Sequence, residues 1–248
     1  MSYRYDDLFF DYLEQTARIS AHHILPVLSE IPIRSVLDVG CGRGAWIGEW
    51  KNNGATSVLG VDGDYVDVKN LAVPQADFKA LDVSKPFDLG RQFDLVECLE
   101  VAEHVPTQTS ATIIENLIRH APLVYFSAAT PGQGGEFHVN EQPLSFWREL
   151  FRGHDYHAFD FIRPRIAGNE VVASWYRYNS ILYVRANHIA SLPPSVARTR
   201  IADGDEIPEV APISWRLRRA VLRHLPVDTV TQLAVLKHRL AVALFGQR

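Results

Sequence analysis

The sequence predicts an α/β fold built on a mostly parallel sheet, and three observations predict it. From Ser35 onward, short apolar runs alternate with stretches at helical spacing, the texture of buried parallel strands joined by crossover helices. The run ending at Val39 is followed by a turn carrying Gly40, Gly42 and Gly44, and then by a helix pattern opening near Ala45. The 248 residues are 47% hydrophobic and 22% charged, enough to bury one large core with a small appendage.

Before the first strand, residues from about Tyr5 to Leu28 place Leu8, Phe9, Tyr12, Leu13, Ile19 and Ile24 near helical spacing, and Pro26 and Pro32 then punctuate the chain. One or two cap helices are expected there. The strand candidates are Ser35 to Val39, Ser57 to Val61, Asp77 to Leu81, Phe93 to Cys98, Leu123 to Ser127, His157 to Ile162 and Tyr178 to Val184. Helices are expected at Ala45 to Asn53, Tyr65 to Leu71, Thr107 to His120 and Leu144 to Arg152. Pro131 to Gly135 must be a loop, and it follows a strand end, where open α/β sheets place their ligands. After Ile189 the pattern breaks at Pro193 and Pro194, and an acidic segment through Pro212 argues against ordered packing. The chain thus divides into a helical cap (1–34), a ligand-binding core (35–190) and a linker with a basic helical extension (191–248).

Formal net charge is -4, so nothing draws the whole molecule to a polyanion, and nucleic acid is a disfavoured partner. Two cysteines, Cys41 and Cys98, give neither a disulfide framework nor a structural zinc site. The first residues lack a basic stretch followed by an apolar run, and the sequence has no long apolar span, so it reads as cytoplasmic.

In VLDVGCGRGAW, Asp38 ends a strand, and the glycines that follow let the backbone turn sharply and approach a ligand closely. The helix start beyond them offers unpaired amide donors. The second strand ends in Asp62, eighteen residues after Gly44, where an acid can accept from both hydroxyls of a ribose. A dinucleotide would favour G-x-G-x-x-G, whereas the spacing here is G-x-G-x-G.

On VLDVGCGRG, GVDGD, ALDV and FDLVECLEVAEHV the sequence resembles the class I S-adenosylmethionine-dependent methyltransferases from about Ser35 to Arg185. The resemblance implies a Rossmann-like sandwich whose seven-stranded, mostly parallel sheet has an antiparallel last strand, between an N-terminal helical cap and a C-terminal helical extension. It implies that Gly40, Cys41, Gly42 and Gly44 pack under the amino-acid tail of the cofactor, S-adenosyl-L-methionine, while Asp38 orients its ammonium. Asp62, with Gly63 beside it, would take the ribose, Asp82 would meet the adenine amino group with the backbone of Val83 beside the ring, and Leu99 and Glu100 would lie near the methionyl part.

Methyl transfer from a sulfonium needs a base or a metal only if the acceptor must lose a proton. Glu100, Glu103 and His104 form E-x-x-E-H just after the fourth strand, and His138 follows in the glycine-rich loop. Together they can hold a divalent ion, Mg²⁺ or Mn²⁺. The set resembles the metal ligands of the ubiquinone-pathway O-methyltransferases and of the small-RNA 3′-end methyltransferases, with the last His farther along the chain. Equally open are a metal-free reading, in which His104 or His138 is the general base with Glu103 beside it, and a structural one. Gln133, His138, Asn140, Glu141 and Gln142, followed by Phe146 and Trp147, suit a hydroxylated acceptor bearing a ring, although the same residues also read as a solvated loop and a core helix face. Trp175, Tyr176 and Tyr178 divide the same way between pocket and core.

Beyond Ile213, basic residues at Arg216, Arg218, Arg219, Arg223, Lys237, Arg239 and Arg248 face one acid, Asp228. Arg216, Arg219 and Arg223 share one helical face and Leu217, Val221 and Leu222 lie near the other, a pattern open to solvent, a membrane, a nucleic acid or a second copy in a homodimer. The expected activity is O-methylation of a hydroxyl on a small molecule such as a sugar, glycoside or secondary metabolite. The rivals are an RNA 3′-end 2′-O-methyltransferase and a non-catalytic partner protein that keeps the fold.

Overall fold

The computed structural model describes residues 7–226 and 228–236. The basic residues Lys237, Arg239 and Arg248, and the expected helix start at Tyr5, lie outside the described residues.

Among the described residues a single helix, α1 (Asp7–Leu28), precedes the sheet and runs through Pro26 in its last turn. Ser20, Ala21, Ile24, Leu25 and Leu28 are buried along it. The remaining elements are β1 (Ser35–Val39), α2 (Ala45–Asn52), β2 (Ser57–Asp62), β3 (Phe78–Ala80), β4 (Leu95–Leu99), α3 (Ser110–His120), β5 (Leu123–Ser127), α4 (Leu144–Arg152), β6 (Tyr156–Phe159), α5 (Arg163–Ile166), α6 (Ser174–Asn179), β7 (Ile181–Arg185), α7 (Pro194–Ala197) and α8 (Ile213–Leu222). Residues 228–236 are helical as well. Among the described residues no helix is long and apolar enough to cross a membrane.

The strands form one seven-stranded sheet in the order β3-β2-β1-β4-β5-β7-β6. All pairings are parallel except those of β7, which runs antiparallel to both β5 and β6. The expected mostly parallel sheet with an antiparallel last strand is therefore present. Alternation of side chains splits the core in two: Val36, Leu95 and Tyr125 pack toward α1 and α2, while Leu37, Val96 and Val124 pack toward α3 and α4. The chain leaves β1 toward β2 on one side and returns to β4 on the other, so a crevice opens at the carboxyl ends of β1 and β4.

Three expectations are corrected. Tyr65 to Leu71 is a turn with a short 3₁₀ segment, Val68–Asn70, because Asp67 accepts the Lys69 N–H and fixes a turn. The last strand begins only at Ile181, since residues 174–179 wind into α6. The stretch beyond Ile189 is packed: Leu192, Val196, Ile201 and Ala211 are buried, Ile201 N–H reaches the Ala158 carbonyl, and the Arg148 and Arg163 side chains donate to the carbonyls of Ala202, Asp205 and Pro208. Long arginines supply donors to a proline-containing loop that lacks its own backbone ladder.

Candidate active site

The glycine turn is held by contacts that a side chain at Gly40 would obstruct. Gly40 has φ +84°, and a Cβ there would sit 2.3 Å from Val101 Cγ2. Its N–H donates to the Val61 carbonyl, and Gly44, at φ +87°, leads into α2. The Gly42 N–H and Gly63 N–H each donate to the Asp62 carboxylate at 2.7 Å, and the Tyr65 hydroxyl donates to the same group. Asp62 is thereby fixed at the end of β2, pointing at the turn.

Asp38 and Glu97 are register partners on β1 and β4 and face α2, where the Trp50 indole N–H donates to Glu97 Oε2 at 2.8 Å. Burial and the charge of Asp62 push the Asp38 carboxyl well above its ordinary value; burial and Asp38 do the same to Glu97. Neighbouring acids in a dry site favour a cation, which is what an ammonium or sulfonium brings. Burial also raises the Cys41 thiol, whose sulfur fills the space over Gly60.

These residues line a cavity of about 770 Å³, inside the range of roughly 300 to 1,000 Å³ typical of small-ligand sites. Asp38, Gly40, Cys41, Gly42, Asp62, Leu99 and Glu100 belong to its wall. Gly44 and Gly63 are not in its wall: Gly44 caps α2 and Gly63 donates its N–H to Asp62. Asp82 and Val83 stand outside it: Asp82 is exposed, with its carboxylate bound to Ser84 and Lys85, which pull its pKa down, and Val83 packs into the core cluster beside α3.

The other half of the cavity is assembled after β4 and β5. Glu100 adopts φ +57°, an uncommon conformation for a non-glycine residue, and its carboxylate accepts from Gln133 Nε2 at 2.8 Å and Asn179 Nδ2 at 3.3 Å. Glu103 is 0% exposed, and its carboxylate has no well-formed hydrogen bond, although the backbone N–H groups of Glu103 and Ala129 and the Glu100 carboxyl stand beside it. Burial, reinforced by the charge of Glu100, pushes its pKa well up. His104 is exposed and opens onto the cavity; desolvation by the nearby walls and the neighbouring His138 hold its pKa down to about 4. The His104 and His138 rings meet edge to face at 5.0 Å.

His138 Nδ1 pairs with Glu141 at 2.9 Å, and Glu141 also accepts the N–H groups of Gly132 and Gly134, so one carboxylate shapes the loop and aims the imidazole. Burial works against the ionised form of Glu141, but the donors of His138, Gly134 and Gly132 outweigh it and keep its pKa low. Ligand atoms of Glu103, His104 and His138 all lie within 4.8 Å of one another. Glu100, the fourth expected ligand, is turned into the Gln133 and Asn179 network instead.

The remaining polar loop residues are scaffold. Asn140 is buried, binding Ala102, Ser110 and Thr107, and Gln142 binds Asn140. Trp147 is core against Phe126, whereas Trp175 and Tyr176 line the cavity. Sequence reasoning missed Trp46, whose indole packs on Tyr176 and Tyr125, and Glu14 and Ala17 of α1. It also missed the roof formed by Trp215, Arg218, Leu222, Val230 and Leu233. A Cβ on Gly132 would sit 2.2 Å from the Arg219 carbonyl oxygen, and one on Gly134 2.8 Å from Val230, so those glycines are the seat of the C-terminal helices. Leu217 and Val221, expected on the helix face away from Arg216, Arg219 and Arg223, are exposed.

Comparison with known proteins agrees with this geometry. Residues 9–160 match the model of a methyltransferase domain. A ubiquinone biosynthesis O-methyltransferase of Acinetobacter baylyi is 30% identical over 158 residues, covering 56% of this chain and 61% of that protein. One from Nitrosomonas europaea is 28% identical over 175 residues, covering 62% and 68%. The chain thus spans about three fifths of the length of the first curated relatives it matches. Among solved structures, the sugar N-methyltransferase KedS8 of Streptoalloteichus superposes with a TM-score of 0.54 at 18% identity, over 75% of this chain and 96% of that one. The magnesium protoporphyrin IX methyltransferase of Synechocystis with bound S-adenosylhomocysteine gives 0.50 at 18% identity, over 75% and 90%. With the glycine turn, the two strand-end acids, the sheet order and the domain match in agreement, the chain belongs to the class I S-adenosylmethionine-dependent methyltransferase family.

Proposed function

We propose that the protein methylates a hydroxyl of a small, ring-bearing molecule with the help of a divalent cation held by Glu103, His104 and His138. The observation that carries this reading is the convergence of those three side chains in the wall of the cavity that also contains the glycine turn. S-adenosylmethionine supplies a methyl group on a good leaving group, and positioning alone can be worth roughly 7 to 11 kcal/mol in such a displacement. A neutral hydroxyl attacks poorly near neutral pH, and a divalent ion bound at this set would lower the hydroxyl pKa.

The donor set fits a cation. Glu103 is a buried carboxyl without a well-formed hydrogen bond and beside the acid of Glu100, and two acids at this depth are costly unless a positive charge completes them. His104, with its pKa held down to about 4, stays neutral at ordinary pH as a ligand must. Glu141 fixes His138 through Nδ1 and leaves Nε2 to coordinate. Two imidazoles with one carboxylate favour Mn²⁺ over Mg²⁺, which prefers oxygen ligands.

Trp46, Trp175, Tyr176 and Trp215 offer flat apolar surfaces for the ring of a sugar, glycoside or aromatic metabolite. The sequence relatives are named for O-methylation, which supports a hydroxyl acceptor. Protein treated with EDTA, then assayed by mass spectrometry on ring-bearing alcohols and phenols with and without Mn²⁺, tests this. Turnover that survives EDTA removes the cation from the mechanism; no methylated hydroxyl despite intact S-adenosylhomocysteine binding overturns the acceptor class.

A further inference from the structure

The roof of the cavity holds a cation that forms no ion pair among the described residues. Arg218 of α8 lines the cavity, half-buried, and donates from one terminal nitrogen to the Gln133 carbonyl at 2.7 Å. Its guanidinium lies 4.9 Å from the centroid of the Trp215 ring, and Trp215 is braced by Tyr178 at 5.6 Å, so the fork is held in place by aromatic packing. Its neighbour Arg219 pairs with Glu209, but no described carboxylate lies within ion-pair distance of Arg218. The acid that acts on it, Glu141, is already engaged by Gly132, Gly134 and His138.

An arginine has five N–H donors and cannot shed its charge, so one carbonyl leaves most of its capacity unused in a partly dry site. We infer that Arg218 anchors a carboxylate on the acceptor, which makes the substrate class a hydroxylated ring acid. This rests on the proposed hydroxyl methylation for the reacting group, but not for the anion site itself. A carboxylate matches the planar fork with a single charge. A phosphoryl dianion would set two negative charges against the carboxylate of Glu141, which acts on the same site.

The test is calorimetry on protein saturated with S-adenosylhomocysteine in EDTA, titrated with 3,4-dihydroxybenzoate and with catechol, which differ by the carboxylate alone. The wild type is expected to bind the acid at least about tenfold more tightly, Arg218→Gln to lose that preference, and Arg218→Lys to keep part of it. Catechol affinity, S-adenosylhomocysteine affinity and melting temperature should stay unchanged in both variants. Equal wild-type affinity for the two probes overturns the inference. So does a loss in Arg218→Gln that falls equally on both probes, or one that falls on S-adenosylhomocysteine, which would place Arg218 on the cofactor. Because no turnover is needed, a failed hydroxyl assay and a failed anion site are separate results.

Discussion

The two halves of the cavity are built by different means. The half we assign to the cofactor comes from one stretch of chain, in which β1, the glycine turn, α2 and the end of β2 lie within Ser35–Asp62 and are tied by short-range backbone bonds. The acceptor half is gathered from α1, the turn after β4, the loop after β5, α6 and the C-terminal helices. A binding mode shared by a whole family can be written into one local motif, whereas a substrate pocket particular to one protein is assembled from parts that vary independently. Substitutions in the first half should therefore affect the cofactor alone, and those in the second the acceptor.

The largest effect is expected from Asp62→Ala. Its carboxylate faces the turn and holds two backbone N–H groups, and charge-assisted bonds are worth about 1.5 to 3 kcal/mol each. Calorimetry should show S-adenosylhomocysteine affinity falling by about 100-fold, on the order of 3 kcal/mol. Unchanged affinity breaks the assignment of this half. Next comes Glu103→Gln, which should lower Mn²⁺-dependent turnover by on the order of 100-fold, since a bound cation contributes several kcal/mol of charge stabilisation. S-adenosylhomocysteine binding should stay within about twofold, and the melting temperature of the metal-free protein should rise most at high pH, because the amide has no ionised form to bury.

Legibility in the sequence follows the same division. β1, β5 and α4 have the bounds that their apolar runs predict, because buried parallel strands and an amphipathic helix announce themselves locally. The helix expected over Tyr65 to Leu71 failed because the Asx turn at Asp67 competes with helix, a side-chain bond that periodicity does not register. Glu103, His104 and His138 could be named together because the first two are adjacent and the third lies in a glycine-rich loop. What could not be read was that Gly132 and Gly134 are small in order to seat α8 and the segment at 228–236, a contact across some 90 residues. Arg218 looked like one more solvated cation for the same reason.

That seat gives a smaller effect. Gly132→Ala places a Cβ on the Arg219 carbonyl at a residue with φ +79°, so α8 must shift, at a stability cost of about 1 to 3 kcal/mol. Acceptor KM should rise by about tenfold while S-adenosylhomocysteine affinity holds within about twofold, on the order of 1.4 kcal/mol confined to one half of the cavity. An equal loss for both ligands would show that the halves are mechanically coupled.

The smallest effect is a pair of opposite pH slopes within the acceptor half. Glu103 has a folded pKa above its unfolded value, so the native state binds the extra proton, and stability falls as pH rises from the unfolded carboxyl pKa toward the folded one. For His104 the folded pKa, about 4, lies below the unfolded value of 6.5, so the unfolded state binds the extra proton, and stability falls as pH drops through that window. Relative to wild type, Glu103→Gln should therefore gain stability with increasing pH, and His104→Asn should gain it as pH decreases from 6.5 toward 4. Urea midpoints of the metal-free protein at several pH values read both slopes. Saturating Mn²⁺ should reverse the Glu103 slope, since ligation needs the ionised carboxylate and binding tightens as pH rises. If the two variants instead drift together with pH, Glu103 and His104 titrate as a unit with neighbours elsewhere, and the three-residue set does not act as a cation site.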